Sequence, residues 1–217
     1  MEWPLLASLA PQERREVLAA ARPRSFARRE VLFHAGDPGD TLFLIRSGHV
    51  AVRVTTEYGD TVTLAVLGPG ETVGELALLG EVAERSATVI ALEATDALTL
   101  TRDQIAALRA THPRVERLLL DVLTAQVRRL TGHLVEALYV PVRHRVVRRL
   151  LALAEQYGDG ARPVTLTVTQ DDIAGLAGAA RPTVNQVLRA LESDGAVSLS
   201  RGRIEILDRA RLAKHRG

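Results

Sequence analysis

Hydrophobic and polar positions follow two different periods along this chain. In the first half the period is two, with short runs at Thr41-Leu42-Phe43-Leu44-Ile45, Val50-Ala51-Val52-Arg53-Val54, Val62-Thr63-Leu64-Ala65-Val66 and Ser86-Ala87-Thr88-Val89-Ile90. Strong turn formers separate them: Gly36-Asp37-Pro38-Gly39-Asp40, Ser47-Gly48-His49, Tyr58-Gly59-Asp60 and Gly68-Pro69-Gly70. Many short strands at regular spacing predict a sandwich or jelly-roll, preceded by one helix over roughly Pro11 to Ala21. From Arg114 to about Tyr139 the period becomes helical, with apolar residues at Val115, Leu118, Leu119, Val122, Leu123, Val127, Leu130, Leu134, Val135 and Leu138. That set is wider than one seam. A helix so patterned has one side to bury on its own domain and another to bury on a partner.

A second pair of helical runs follows in Thr169 to Ser193, TQDDIAGLAGAARPTVNQVLRALES. Thr169 suits an N-cap with Asp172 three residues on, a variant of the capping box, and Ile173, Leu176 and Ala177 form one apolar face. Gly178-Ala179-Ala180 gives a turn of small residues where two helices cross closely and where a left-handed backbone angle is available. Pro182 fits the first turn of the second helix, and Val184, Val187, Leu188 and Leu191 recur on its buried side. This leaves Arg181, Thr183, Asn185, Gln186 and Arg189 on the other faces, residue types that bond base edges or phosphates. Val197-Ser198-Leu199 and Ile204-Glu205-Ile206 alternate across Ser200-Arg201-Gly202-Arg203, a hairpin with a basic tip. Two helices, a tight turn and a basic hairpin predict a winged helix-turn-helix that binds double-stranded DNA. Arg143, Thr169, Asp171, Arg181, Thr183, Asn185, Gln186, Arg189, Arg201 and Arg203 are its candidate contacts. The plain alternative is a helical hairpin with a solvated polar face.

Charge separates the two readings. Residues 1–142 hold 15 basic and 18 acidic residues, a net of −3, whereas residues 143–217 hold 13 and 8, a net of +5. Positive charge thus accompanies the helix-turn-helix, as phosphate neutralisation requires. Of the 28 basic residues only Lys214 is a lysine, a bias with little weight for function. No run approaches the length of a membrane-spanning helix, and the start MEWPLLASLAPQE lacks a secretory signal's basic and apolar regions, so a cytoplasmic location without membrane attachment is expected. The chain has 0 cysteines, which excludes disulfides, thiolate zinc sites and cysteine-held iron–sulfur clusters. Nor does it show a nucleophile–base pair, a phosphate-binding loop or a metal-ligand cluster, and no enzyme activity is expected. His34 and His49, fifteen residues apart, lack paired His-x-His spacing and read as surface or packing residues.

One more constellation lies in the strand region: Gly74-Glu75-Leu76-Ala77-Leu78-Leu79, then Glu84-Arg85-Ser86-Ala87-Thr88. Arg85 offers a fork of donors to an anion, Ser86 a hydroxyl and an amide, and Glu75 an acceptor for a sugar hydroxyl. With the glycine turns before it and the helix-turn-helix behind it, the segment resembles the cyclic-AMP receptor protein/FNR family of bacterial transcription regulators over nearly the whole chain. The resemblance implies an α+β fold: a β-roll (jelly-roll) sensor in residues 1–112, a dimerisation helix in 113–139, a hinge at 140–142 around Pro141, and a winged helix-turn-helix in 143–217. It implies a homodimer reading a palindromic operator, contact with RNA polymerase, and cyclic AMP or another cyclic nucleotide as ligand. The ligand residues it points to are Gly74, Glu75, Leu76, Arg85, Ser86 and Ala87, with Leu130 and Thr131 of the long helix near the base.

Two departures stand out. Where the family's nucleotide binders place a threonine–serine pair against the adenine, this chain has Leu130 and Thr131, and Leu130 cannot hydrogen-bond. Where the recognition helix commonly carries arginine–glutamate–threonine–valine, this chain has Arg181-Pro182-Thr183-Val184. Glutamate accepts from the cytosine amino group and proline cannot, so at least one operator position should be relaxed. Three alternatives stay open: an empty pocket in which Arg85 pairs with Glu75 or Glu84; a regulator controlled by its expression level or another effector; and a nucleotide-binding subunit whose second domain grips a protein.

Overall fold

The computed structural model describes residues 3, 6, 9–76, 84–112, 114–158 and 163–216, without the side chains of 114 and 116–119. The expected Ala77-Leu78-Leu79 continuation lies outside the described residues. The chain folds as two compact units, Met1–Val52 with Leu67–Leu130, and Arg53–Val66 with Thr131–Gly217.

The first unit opens with α1 (Pro11–Ala20), whose N-terminal Ala10 amide donates to Glu13 Oε2 at 2.7 Å. Along the chain the strands follow as β1 (Arg22–Phe26), β2 (Val31–Phe33), β3 (Thr41–Ser47), β4 (Val50–Thr55), β5 (Thr61–Leu67), β6 (Thr72–Val73), β7 (Thr88–Ala91) and β8 (Thr95–Thr101), of which Arg53–Val66 falls in the second unit. They form two four-stranded sheets, ordered β1-β8-β3-β6 and β2-β7-β4-β5. β3 is buried at four successive positions, Leu42 to Ile45, which is why its apolar residues run together rather than alternate. β7 alternates, with Val89 and Ala91 inward. It begins at Thr88 instead of Ser86, because the Arg85 backbone is already paired with the preceding turn: its amide donates to Asp37 O at 2.9 Å and its carbonyl accepts from Gly36 N at 2.8 Å.

Two helices complete the first unit's core. In α2 (Arg102–Thr111), Thr101 and Gln104 form a reciprocal capping box, and Gln104 also donates to Ala20 O at 2.7 Å, joining this helix to the end of α1. α3 (Arg114–Tyr139) starts in the same core through Val115. Trp3, Leu6, Leu9, Val17, Leu42, Leu44, Leu100, Ile105 and Leu108 pack around it.

In the second unit α4 (Val142–Tyr157) starts directly after Pro141, and buries Val146, Val147, Leu150, Leu153 and Ala154. α5 (Gln170–Ala177) and α6 (Arg181–Ser193) pack against it. β10 (Val197–Ser200) and β11 (Arg203–Ile206) pair antiparallel from Val197↔Ile206 to Ser200↔Arg203, and β9 (Val164–Leu166) adds a third strand beside β11. A short α7 (Arg209–Ala213) closes the chain, capped by Asp208.

Candidate functional site

In the first unit, Gly74, Glu75 and Arg85 converge. Gly74 has φ +93°, and a Cβ there would lie 2.5 Å from Arg85 Nη1 and 2.8 Å from Thr41 O, so only glycine suits both the angle and the space. Arg85, 5% exposed, donates from Nη1 to Gly74 O at 3.1 Å and from Nη2 to Thr41 O at 2.8 Å. Its Nε is buried and meets no hydrogen-bond partner among the described residues. Neither of the two Nη bonds goes to Glu75 or Glu84. Burial lowers the Arg85 pKa, opposed by the nearby charges of Asp40, Asp37 and Glu75. Burial raises that of Glu75, against backbone amides and the charges of Arg129 and Arg85. The site is therefore a desolvated cation beside a carboxylate that resists ionisation.

Of the other residues expected to meet a ligand, Ser86 and Leu76 are exposed and Ala87 is buried. Leu130 and Thr131 stand exposed on α3. His34 is exposed, and His49 is buried with Nδ1 2.6 Å from Glu93 Oε1, the surface and packing roles expected of them.

The second unit carries the expected helix pair. Thr169 Oγ1 accepts from the Asp172 amide at 3.1 Å while Asp172 Oδ2 accepts from the Thr169 amide at 2.8 Å, so both halves of the capping box form. Gly178 ends α5 at φ 58°, ψ 48°, the left-handed angle that the small-residue turn offered. Val184, Leu188 and Leu191 are fully buried, whereas Arg181, Pro182, Thr183, Gln186 and Arg189 are exposed and Asn185 is half-buried. Arg181 Nε lies 3.1 Å from Asp171 Oδ1, and Arg189 Nη1 lies 2.9 Å from Glu192 Oε2. Arg201 and Arg203 are exposed at the hairpin tip. Arg143 is at the start of α4, with Nη2 2.9 Å from His215 Nδ1. Thr169 is exposed but its hydroxyl is committed to the cap.

Two buried polar centres escaped the sequence. Asp172, 1% exposed, also accepts from Thr63 Oγ1 at 2.7 Å and Arg53 Nη2 at 2.9 Å, residues of the β4–β5 hairpin. Beside it a Cβ on Gly175 would stand 2.6 Å from the Thr63 amide nitrogen, so this glycine lets helix and hairpin meet. Arg145, 6% exposed, donates from Nη1 to Ala137 O at 2.6 Å and Glu136 O at 3.3 Å, and from Nη2 to Gly178 O at 3.1 Å. The capping box with Thr169 was local, but the bonds of Asp172 to Thr63 and Arg53 and those of Arg145 reach other elements, and an arginine within an amphipathic helix reads as a solvated position.

Comparison with known proteins agrees with this arrangement. Residues 23–112 match the cyclic nucleotide-binding domain and residues 144–215 the Crp-like helix-turn-helix domain. The chain is 37% identical over 209 residues to the cyclic AMP receptor protein of Thermus thermophilus, covering 96% of this chain and 94% of that one. It is 33% identical over 196 residues to the CRP-like cAMP-activated global transcriptional regulator of Mycobacterium tuberculosis, covering 89% and 87%. Among solved structures, the Thermus thermophilus catabolite activator protein aligns with a TM-score of 0.57 at 36% identity, over 98% of both chains. Another transcriptional regulator of the CRP family from Thermus thermophilus aligns at 0.74 and 27% identity, over 89% of this chain and 96% of that one. The family's members are transcription regulators and not enzymes. A β-domain with a buried arginine, followed by a winged helix-turn-helix and matched along nearly its whole length, makes this chain a member of the CRP/FNR family of transcription regulators.

Proposed function

We propose that this regulator binds a cyclic nucleotide, cyclic AMP foremost, in the pocket around Arg85, and binds a palindromic operator as a homodimer. The observation that carries the ligand reading is the buried Arg85 guanidinium, whose Nε lacks an acceptor among the described residues. A cyclic phosphodiester supplies one negative charge and in-plane acceptor oxygens for such a group. In this reading Gly74, Glu75 and Leu76 face the ribose, Arg85, Ser86 and Ala87 the phosphate, and Leu130 and Thr131 the base. The cAMP-named relatives support cyclic AMP within the class. Leu130 removes one polar contact to the base and leaves phosphate and ribose recognition intact.

The dimer reading rests on α3. Leu120, Val127 and Leu134 recur every seven residues and are exposed, with Leu130 between the last two and Leu138 beyond. Such a stripe is the seam of a two-stranded coiled coil, and a second copy of the helix covers it. A homodimer sets two recognition helices on one face of the duplex, where Arg181, Thr183, Asn185, Gln186 and Arg189 meet bases and Arg143, Thr169, Asp171, Arg201 and Arg203 border the backbone. RNA polymerase is the further partner on this reading, and Val140-Pro141-Val142 the hinge between dimer helix and DNA-binding domain.

Calorimetric titration with cyclic AMP and cyclic GMP tests the ligand. A saturable isotherm with cyclic AMP is expected. Silence toward both leaves a DNA-binding regulator controlled by expression level or another effector, the reading favoured by the loss of a polar group at Leu130. A salt-dependent gel shift tests the DNA arm, and failure to shift any duplex would point to a protein-gripping second domain.

A further inference from the structure

A buried guanidinium needs compensation for its lost water, and an ion-paired carboxylate is the usual source. Here that solution would defeat the site, because a carboxylate occupies the same in-plane N–H groups that a ligand phosphate needs. The neighbouring carboxylates are instead held elsewhere: Asp37 Oδ2 accepts from the His34 amide at 2.8 Å and Asp40 Oδ1 from Thr41 Oγ1 at 2.7 Å. Those charges act from a distance, and the direct contact comes from the flat side. The Arg85 guanidinium carbon lies 4.2 Å from the ring centroid of Phe33 and 5.8 Å from that of Phe43. The Phe33 and Phe43 rings are 5.6 Å apart and Phe43 and Phe26 6.1 Å, so all 3 phenylalanines of the chain form one cluster beneath the cation. An aromatic face attracts a cation through its quadrupole and consumes none of its hydrogen-bond donors.

We propose that Phe33 is a positioning residue for anion binding: its ring is a shelf that fixes the plane of Arg85 and leaves the edge of the guanidinium to the ligand phosphate. The inference rests on the reading of this pocket as a cyclic-nucleotide site. Two further features support it. Arg85 is pinned in that plane by Gly74 O and Thr41 O, so tilting off the ring breaks both bonds. The ladder between β2 and β7 also shifts register between Val31 and Phe33, an irregularity of the kind that re-aims a side chain. Without the shelf, Arg85 is free to swing toward Asp37 or Asp40, and the ligand must compete with them.

The test weakens the quadrupole with the ring kept, by fluorination, and removes it with the ring, by leucine. Trifluorophenylalanine at position 33, Phe33→Leu and Phe33→Tyr are each titrated with cyclic AMP and cyclic GMP as full-length protein. The fluorinated and leucine variants are expected to lose roughly 3- to 30-fold in affinity, by the same factor for both nucleotides, because the effect is on phosphate and not on base. Phe33→Tyr, which keeps an electron-rich face, is expected to stay within about twofold of wild type. Unchanged or tighter binding by the fluorinated protein overturns the shelf while leaving the nucleotide reading standing. Loss for one nucleotide only also overturns it, since that is a base effect. Wild-type protein that binds neither nucleotide removes the nucleotide reading, and the shelf with it.

Discussion

Asp172 accepts four hydrogen bonds, from the Thr169 amide and hydroxyl, the Thr63 hydroxyl and the Arg53 guanidinium. Burial pushes its pKa up, but the Thr169 amide, the two hydroxyls and the Arg53 charge outweigh it and the net direction is down. A carboxylate whose folded pKa lies below its unfolded value near 3.9 contributes stability that is fully present above that value and is lost as pH falls through the lower, folded one. Urea unfolding from about pH 6 down to about pH 3 is therefore expected to show acid destabilisation that Asp172→Asn flattens, at a cost of about 1–3 kcal/mol at neutral pH. An equally steep acid limb in the variant would assign that limb to other carboxylates. Arg85 works differently, since its side chain bonds to two backbone carbonyls, of Gly74 and Thr41, rather than to a network of charged and hydroxyl groups. Arg85→Ala is expected to abolish cyclic-nucleotide binding in calorimetry, and wild-type affinity in that variant would remove Arg85 from the site.

At the level of elements, the recognition helix and the wing hold arginines in different settings. Arg181 and Asp171 are both exposed, and an exposed pair is worth roughly 0–1 kcal/mol, less than a bidentate guanine contact at about 1–3 kcal/mol, so the base contact proposed for Arg181 would outweigh it. Arg181→Ala is expected to cost about 1–3 kcal/mol and relax preference at one symmetric pair of operator positions, with little change in salt slope. Arg201→Ala or Arg203→Ala is expected to weaken cognate and scrambled duplexes alike and to flatten the salt dependence by about one unit for every phosphate that each subunit no longer neutralises. Binding isotherms at several salt concentrations separate the two patterns, and an exchange of patterns would reverse the reading and gripping elements. These helices were legible because their signals are local: Thr169 and Asp172 cap three residues apart, Gly178 takes the left-handed angle, and Val184, Leu188 and Leu191 repeat at helical spacing. β1 was not, because Arg22-Pro23-Arg24-Ser25 is exposed at every position and becomes a strand only by pairing with β8, far along the chain. The aromatic shelf under Arg85 was hidden for the same reason, since Phe33, Phe43 and Arg85 come from separate strands and loops.

For the whole molecule, the proposed dimer depends on the exposed stripe of α3. Leu134 is 60% and Leu138 66% exposed, too much apolar surface on one line to leave in water. Leu134→Glu is expected to convert a dimer of this chain to monomer in light scattering and to remove cooperative binding to a palindrome while a half-site still binds weakly; a variant that stays dimeric would place the seam elsewhere. Leu130→Thr, on the same stripe, is expected to tighten cyclic AMP binding, and no gain would mean a pocket shaped for another ligand. The buried Arg145 has a kinetic consequence as well. It ties the last carbonyls of α3 to the carbonyl of Gly178, so neither the end of that helix nor the turn between α5 and α6 can open without releasing the other. Amide protons in the two segments, though distant in sequence, will then exchange with deuterium through one shared opening event, and Arg145→Gln will let their protection fall to separate values.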